Sequence, residues 1–144
     1  MARFEVRIFK DASGSAPFLE WIRALGRENI KAAAKVRTCV ERLEEFGHGL
    51  RRPTSTPLRD KIHELRARIG KVHYRVLYFF DGRGRAVLAV GCTKEDEVED
   101  TDIDRAIACR SKYLENPERY TYREPSNVPI ETITKTRHQR GARD

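Results

Sequence analysis

Eight cationic side chains cluster between residues 51 and 75, where the only acids are Asp60 and Glu64. The basic residues are Arg51, Arg52, Arg59, Lys61, Arg66, Arg68, Lys71 and Arg75. Guanidinium groups that converge on one surface can bind a phosphate group through paired hydrogen bonds. Burying an unpaired charge costs several kcal/mol, so these side chains must reach the surface, a carboxylate or an anionic ligand. The segment is therefore the first candidate for a functional site.

Two predicted strands, at residues 61–69 and 72–80, would carry the centre of this basic segment. A glycine and a lysine between them predict a tight turn, and hence an antiparallel pair. Because side chains alternate between the two faces of a strand, Arg66 and Arg68 share one face. Pairing across the turn would bring one of them close to Arg75, which predicts a cluster of guanidinium groups on one face.

Two structural alternatives stand beside this interpretation. The arginines could form salt bridges to Glu64 or to the acids of residues 95–104 instead of binding a ligand. The aromatic run at residues 78–80 could stack nucleic-acid bases, but such a run inside an apolar strand is more typical of a core. We expect these aromatic side chains to be core residues.

Three residues near the basic segment could transfer a proton. Imidazole titrates near neutral pH, so His63 and His73 are candidates, and His73 is better placed beside the turn. Lys94 follows a predicted buried strand and could emerge at the rim of the sheet. The sequence contains no histidine spacing typical of metal sites, and residues 95–104 lack the loop pattern of calcium binders, so we predict no metal site.

The periodicity of the first 46 residues predicts a strand followed by two helices. Alternation indicates a strand at residues 4–8. Helical spacing predicts helices from Ser15, as the N-cap, to Gly26, and from Glu28 to Phe46. Their expected apolar positions are Phe18, Trp21, Ile22 and Leu25 in the first helix and Ile30, Ala33, Val36, Val40, Leu43 and Phe46 in the second. We expect this helical hairpin to cover one face of a sheet.

The rest of the pattern completes an α+β fold with one mostly antiparallel sheet. Residues 47–58 have the composition of a loop, and strands are predicted at 61–69, 72–80 and 85–92. A final helix is expected to start at Thr101 as its cap and to end at Pro117, with Ile103, Ile107, Arg110 and Leu114 on its inner face. We predict one domain over residues 1–117 and a basic, flexible tail over residues 118–144.

The distribution of charge favours a polyanionic partner, with nucleic acid the leading candidate. The net charge is +7, yet residues 1–94 hold 20 basic and 10 acidic residues, and residues 95–104 hold seven acids and no base. A merely solubilising charged surface is the alternative. No apolar run approaches the ~20 residues of a membrane span. Three scattered cysteines without a Cys-x-x-Cys pair favour neither disulfides nor zinc and suggest a reducing cytoplasm.

Several short blocks occur in order along residues 3–116. They are Leu58-Arg59-Asp60, His63-Glu64-Leu65-Arg66, Tyr74-Arg75-Val76-Leu77-Tyr78-Phe79-Phe80, Val90-Gly91-Cys92-Thr93-Lys94, and a helix with Ala106, Arg110, Tyr113 and Leu114. Together they resemble the RelE/HigB-like toxins of prokaryotic toxin–antitoxin modules, and most of all the phage-derived branch. The resemblance implies the RelE/ParE-like fold, in which two N-terminal helices pack on a small antiparallel sheet. It further implies mRNA cleavage on the ribosome, without metal or cofactor, and an antitoxin that usually carries a helix-turn-helix DNA-binding domain.

The resemblance also implies roles for individual residues. The family's arginine in the Tyr-Arg block falls on Arg75, the basic residue of the preceding strand on Arg66 or Arg68, and the basic residue after the last central strand on Lys94. Beyond what the resemblance implies, we expect that in such an endoribonuclease Arg75 and Arg66 hold the phosphate and His73 or Lys94 transfers the proton. The remaining basic residues would hold the RNA, namely Arg51, Arg52, Arg59, Lys61, Arg68 and Lys71.

The chain departs from the family pattern directly after Lys94. Glu95-Asp96-Glu97 stands where the family commonly continues with Lys or Arg, and acids beside a phosphate site repel the substrate. Two other functions therefore remain open. One is a ParE-like toxin that inhibits a topoisomerase, and the other is a catalytically silent module that binds RNA or a partner.

Overall fold

The computed structural model describes residues 4–94 and 98–124 of the 144-residue chain. The elements in chain order are β1 (Glu5–Ile8), α1 (Pro17–Glu28), α2 (Ile30–Phe46), a 3₁₀ turn (Gly47–Gly49), β2 (Ser55–Pro57), β3 (His63–Ile69), β4 (Val72–Phe80), β5 (Arg85–Lys94) and α3 (Asp100–Glu115). The predicted α+β class is confirmed. None of the helices in the described ranges is long and apolar enough to cross a bilayer.

The strands of the described ranges form one sheet in the order β1-β5-β4-β3-β2. The pairs β2–β3, β3–β4 and β4–β5 are antiparallel, and the pair β1–β5 is parallel. The predicted turn at Gly70-Lys71 joins β3 to β4, and Ile69 pairs with Val72 across it. Gly70 has a φ of 60°, a left-handed conformation that glycine adopts without strain.

The edge strand β2 lies inside the segment that the sequence predicts to be a loop. Ser55 pairs with Leu65 and Pro57 with His63, so three residues of the predicted loop extend the sheet. A three-residue strand that contains proline has no local signal of its own, and proline is tolerated there because β2 is at the edge. The loop prediction is therefore wrong for residues 55–57.

The helices cover both faces of the sheet. α1 and α2 pack on one face, as the sequence predicts, against a core that includes Leu65, Val76 and Leu88. α3 packs on the opposite face, over a second core that includes Leu77, Phe79 and Val87. These will be called the hairpin face and the α3 face. Tyr78 and Phe79, 1% and 0% exposed, are core residues as expected, one on each face.

The indole of Trp21 fixes α1 against β5. The ring lies over Gly91, where a Cβ atom would overlap it, and its Nε1 donates to the Thr93 hydroxyl at 3.2 Å. Glycine is thus required at position 91 by the close approach of the helix to the strand.

The helix boundaries differ from the predictions by a few residues. α1 continues through Gly26, because Asn29 is the residue that separates the two helices. The Asn29 backbone N–H donates to the Leu25 carbonyl at 2.7 Å, and its side chain accepts from the Ala32 N–H at 3.0 Å. Ser15 is not the N-cap of α1; its hydroxyl instead donates to Glu20 at 2.8 Å.

Some predicted apolar and capping positions are also corrected. Ile30, Phe46 and Leu114 are 48%, 52% and 44% exposed, because they lie in the first or last turn of their helices, beyond the packed region. Thr101 does not cap α3, which already begins at Asp100. The predicted stripe of α1 is buried at Phe18, Ile22 and Leu25, whereas the stripe of α2 is wrong at both ends and that of α3 is wrong at its last position.

A buried polar network joins α3 to the sheet. The Tyr113 hydroxyl donates to Asp81 at 2.7 Å, and Arg85 donates to the same carboxylate oxygen at 2.6 Å. Arg7 on β1, 8% exposed, donates to the Tyr113 hydroxyl at 3.2 Å. Burial raises the pKa of Asp81, but hydrogen bonds from Tyr113, a backbone N–H and Arg85 outweigh this effect, so its pKa is lowered.

The chain after α3 returns to the free side of β1. The Lys10 N–H donates to the Tyr120 carbonyl at 3.0 Å, and the Tyr122 N–H donates to the Ile8 carbonyl at 2.7 Å. Thr121 is 1% exposed and forms a bridge with Phe9. The packed part of the chain thus extends beyond residue 117, and the predicted boundary at residue 118 is wrong. Residues 125–144 lie outside the described residues.

Candidate functional site

The hairpin of β3 and β4 brings four predicted site residues together. Its register pairs Arg66 with Arg75 and Arg68 with His73. By the alternation of side chains, these four residues share the α3 face with Leu77 and Phe79. The sequence-based expectation that Arg66 or Arg68 lies near Arg75 agrees with this register. We call these four residues and Glu64, which shares their face, the arginine cluster.

Glu64 lies between two of the arginines. Arg75 Nη1 donates to Glu64 Oε1 at 3.3 Å, and Arg66 Nε lies 3.7 Å from Glu64 Oε2. The side chains of Glu64 and Arg75 are each 5% exposed, whereas that of Arg66 is 34% exposed. One buried carboxylate therefore holds two guanidinium groups side by side that would otherwise repel each other.

Among the residues that the structure describes, the arginine cluster has more positive charge than its one carboxylate can balance. Three arginines face one carboxylate, and Arg68 is exposed, with its Nε donating to the Gly70 carbonyl at 2.7 Å. Arg75 Nε is buried and has no hydrogen-bond partner among the described residues. The structural alternative, salt bridges to Glu64, thus accounts for part of the charge only, and the cluster can attract an anion.

The environment of His73 keeps its imidazole neutral at pH 7. Partial loss of solvent contact, followed by the positive charges of Arg75 and Arg66, lowers its pKa, against a smaller opposite effect of Glu64. His73 Nδ1 is buried and has no hydrogen-bond partner within the described ranges. A neutral imidazole beside cations can accept a proton from a substrate hydroxyl.

The three lysines predicted for the site occupy different positions along the backbone relative to the arginine cluster. The backbone register places Lys94 of β5 opposite His73, and therefore next to the arginine cluster. Lys71 is exposed in the turn between β3 and β4, at the end of the cluster. Lys61 is exposed in the loop before β3. Glu95, Asp96 and Glu97, the acids that depart from the family pattern, lie outside the described residues.

Arg59 does not join the arginine cluster. Its guanidinium binds Asp104 at 2.7 Å and Asp60 at 3.0 Å, and Asp100 lies 3.6 Å away. The hydrogen bond to Asp104, followed by that to Asp60, raises the pKa of Arg59. Arg59 therefore forms salt bridges to the acidic segment, as the alternative interpretation expects. These contacts link the loop before β3 to the first turn of α3.

Arg51 and Arg52 are also outside the arginine cluster. They line a cleft of about 530 Å³ beside the 3₁₀ turn and β2. His63 and Tyr78 line the same cleft, and Tyr78 belongs to the core of the hairpin face. The cleft and the arginine cluster are therefore on opposite faces of the sheet.

Two residues of these sites were not identified from the sequence. Glu64 was seen only as an opposing charge, although its position between two arginines on one strand face could have indicated its role as their shared partner. His48, which lines the cleft, lies in a segment read as a loop, and no local pattern connects it with His63. Only the fold brings those two histidines together.

Comparison with known proteins identifies the family. A family model described as "phage derived protein Gp49-like (DUF891)" matches residues 20–110, a range that includes the whole arginine cluster. A search of the curated proteins finds no match. The family match covers more than half of the chain and includes α2, the strands β2 to β5 and most of α1 and α3. The chain therefore belongs to the Gp49-like family of phage-derived proteins, a family of RelE-like toxins of toxin–antitoxin systems.

Proposed function

We propose that this toxin is a metal-independent endoribonuclease of the RelE/HigB kind that cleaves mRNA on the ribosome and so inhibits translation. The observation that carries the proposal is the register of the β3–β4 hairpin, which sets Arg66 opposite Arg75 and, two residue pairs along on the same face, Arg68 opposite His73. This arrangement supplies positive charge and a neutral proton acceptor on one face, which are the two requirements for cleaving a ribose phosphodiester without a metal.

The proposed reaction is attack of the ribose 2′-hydroxyl on the adjacent phosphorus. The new P–O bond forms a 2′,3′-cyclic phosphate as the P–O bond to the 5′-oxygen breaks. The proton of the 2′-hydroxyl passes to a base, and the departing 5′-oxygen gains a proton to leave as a hydroxyl. Negative charge grows on the phosphoryl oxygens meanwhile, and stabilising that charge is usually the largest contribution to such catalysis.

The burial of each arginine suggests a division of roles. Arg66, one-third exposed, and Arg68, exposed, can reach a phosphate directly. Arg75 is almost fully buried against Glu64, so it would stabilise the phosphate mainly through the electrostatic field of its charge, without direct contact. It would also hold Glu64 in place. Glu64 in turn orients the Arg66 guanidinium, which makes Glu64 a positioning residue.

His73 and Lys94 are the proposed proton-transfer groups. His73 is neutral at pH 7 because its pKa is lowered, which suits it to accept the 2′-hydroxyl proton. Lys94 is opposite His73 in the register, and a protonated lysine there could donate to the 5′-oxygen. The exposed Lys61 and Lys71 would add electrostatic attraction for RNA around the cluster.

Membership of a toxin–antitoxin family implies an antitoxin partner. We propose that this antitoxin carries a helix-turn-helix DNA-binding domain, as in the branch that the sequence resembles. The proposed mRNA and ribosome partners place the toxin in the cytoplasm.

The test is cleavage of a defined mRNA in a translating extract that contains EDTA-treated toxin, compared with the same mRNA without ribosomes. We expect cuts that carry 2′,3′-cyclic phosphate ends, which Arg66→Ala and His73→Gln reduce by about 10²-fold or more. Arg83→Ala is the matched control, since Arg83 is an exposed arginine in the β4–β5 turn, at the far end of the sheet.

Folded wild-type toxin that leaves mRNA intact would refute the proposal. If the same protein triggered a DNA-damage response, the topoisomerase-inhibiting alternative would replace it. Equal cleavage by wild type, Arg66→Ala and His73→Gln would remove the arginine cluster from the active site.

A further inference from the structure

The cleft on the hairpin face has a wall of aromatic rings. His63 stacks on Tyr78, with ring centroids 5.3 Å apart and planes at 27°, and His48 lies 3.9 Å from the ring of Phe80. All four side chains line the cleft. Tyr78 is 1% exposed and its hydroxyl is hydrogen-bonded to the Ser55 hydroxyl at 2.6 Å, so it supports the His63 ring from behind, and the ring surfaces left for a ligand are those of His48, His63 and Phe80. Planar ring surfaces of this kind favour a planar, aromatic ligand.

The mouth of the cleft is positively charged. Arg51 and Arg52 line it and are exposed, and none of the described residues that line it is acidic. Within the part of the chain that the structure describes, neither arginine forms an ion pair or a side-chain hydrogen bond. Arg59 and Arg75 contrast with them, since both have carboxylate partners. The two guanidinium groups at the mouth are thus available to an anionic ligand.

The dimensions of the cleft suit a small molecule. Its volume of about 530 Å³ is within the range of about 300–1,000 Å³ typical of ligand sites. An inorganic anion would contact the arginines but leave the ring wall unused, and an acidic peptide would gain little from the stacked rings. A ligand that joins an aromatic ring to a phosphate uses both parts.

We propose that this cleft binds a nucleotide, with its base against the rings of His48, His63 and Phe80 and its phosphate at Arg51 and Arg52. The nucleotide could be free or part of an RNA strand, because both present the same chemistry. The site is separate from the arginine cluster, which is on the other face of the sheet. It therefore does not depend on the proposed cleavage reaction.

The experiment follows the imidazole C2–H signals of the full-length protein by NMR during titration with AMP. Signals are assigned with His48→Gln, His63→Gln and His73→Gln. We expect AMP to shift the His48 and His63 signals together, in a saturable way; the His73 signal reports separately on any phosphate that binds at the arginine cluster. Ribose 5-phosphate, which lacks the base, should bind at least about fivefold more weakly, as expected for the loss of base stacking.

Two double variants locate the binding. Arg51→Ala/Arg52→Ala should weaken AMP binding by about tenfold or more, because charge-assisted hydrogen bonds to the phosphate are lost. Both arginines are exposed, so this variant should unfold at the same urea concentration as the wild type. Arg66→Ala/Arg68→Ala, on the opposite face, should bind AMP with unchanged affinity.

A pentanucleotide of single-stranded RNA distinguishes the two sources of the ligand. Tighter binding of the pentanucleotide than of AMP, with the same shifts at His48 and His63, would identify a nucleotide within RNA. Tighter binding of AMP would identify a free nucleotide.

The proposal would be overturned by the absence of saturable shifts with both probes, or by equal affinity for ribose 5-phosphate. It would also be overturned if the Arg51→Ala/Arg52→Ala variant bound AMP with the affinity of the wild type. If an oligoglutamate peptide shifted the His48 and His63 signals as AMP does, the nucleotide proposal would be wrong and the cleft would be a site for acidic peptides. AMP binding without any mRNA cleavage would leave this site intact and refute only the proposed function.

Discussion

Replacing Arg75 should destabilise the fold, and not only the proposed active site. Arg75 and Glu64 are each 5% exposed, with Nη1 and Oε1 3.3 Å apart. Arg75→Ala would leave a buried carboxylate whose remaining cationic neighbour is Arg66 Nε, 3.7 Å from its other oxygen. Breaking a buried ion pair by removing one partner costs about 3–5 kcal/mol. Because Arg66 remains nearby, we expect a loss of about 3 kcal/mol in the free energy of unfolding, at the lower end of that range.

A double substitution separates the ion pair from the packing of its side chains. Arg75→Met combined with Glu64→Leu removes both buried charges and keeps apolar volume, so its stability should be within about 1 kcal/mol of the wild type. Arg75→Met alone should cost about as much as Arg75→Ala. Arg75→Met, Glu64→Leu and the double variant then form a cycle with an expected coupling of about 2 kcal/mol or more.

Urea unfolding followed by the fluorescence of Trp21, the single tryptophan of the chain, measures each free energy. Arg83→Ala, an exposed arginine, serves as the control and should change stability by less than about 0.5 kcal/mol. The reasoning is refuted if the free energy of unfolding of Arg75→Ala is within about 1 kcal/mol of the wild-type value, since a change that small is typical of exposed positions. Such a result would mean that Glu64 reaches solvent or a second partner. Arg66→Ala is therefore a cleaner test of activity than Arg75→Ala.

Three further outcomes follow from the contacts described above. Gly91→Ala should cost about 1–3 kcal/mol in thermal unfolding experiments, because the new Cβ overlaps Trp21; an unchanged midpoint would show that α1 can move away freely. Asp81 has a lowered pKa, so its carboxylate stabilises the fold at neutral pH, and this contribution should fade as the pH falls from about 3.8 through the lowered value. The urea midpoint of Asp81→Asn should fall less than that of the wild type as the pH is lowered. Identical pH profiles for the two proteins would show that the Asp81 carboxylate does not contribute to stability. If His73 is the base, the cleavage rate should rise with pH through a pKa below 6.5 and level off at neutrality, whereas His73→Gln should show no such step.

The β3–β4 hairpin was predictable because its signals are local. A two-residue turn and the period of two fix both the register and the shared face, so the Arg66–Arg75 pair follows from the sequence once the turn is placed. The difference in burial between Arg75 and Arg66 was not predictable. It depends on where Glu64 reaches and on which part of the sheet α3 covers, and both are properties of the packed fold.

The distribution of the other basic residues could not be read from the sequence. Arg51, Arg52 and Arg59 are close to Arg66 along the chain, yet two line the cleft on the opposite face and the third binds α3. The cause is the edge strand that begins at Ser55, which exists only through its pairing with β3 and redirects the chain on both sides. Nearness in sequence is a poor guide to a shared site wherever tertiary pairing decides the path of the backbone.

The short return of the chain along β1 determines how far the protein can be shortened. Ending the chain at residue 117 would remove Thr121 and the backbone pairing with Phe9, and would leave an unpaired strand edge. Arg7, 8% exposed, would also lose its contacts with Glu118 and Thr121. Exposed strand edges recruit other strands, so such a truncated protein should self-associate through β1 and form aggregates on expression. A shortened chain that keeps residues up to Glu124 retains this cover together with the 2.9 Å ion pair between Glu124 and Arg23 on α1.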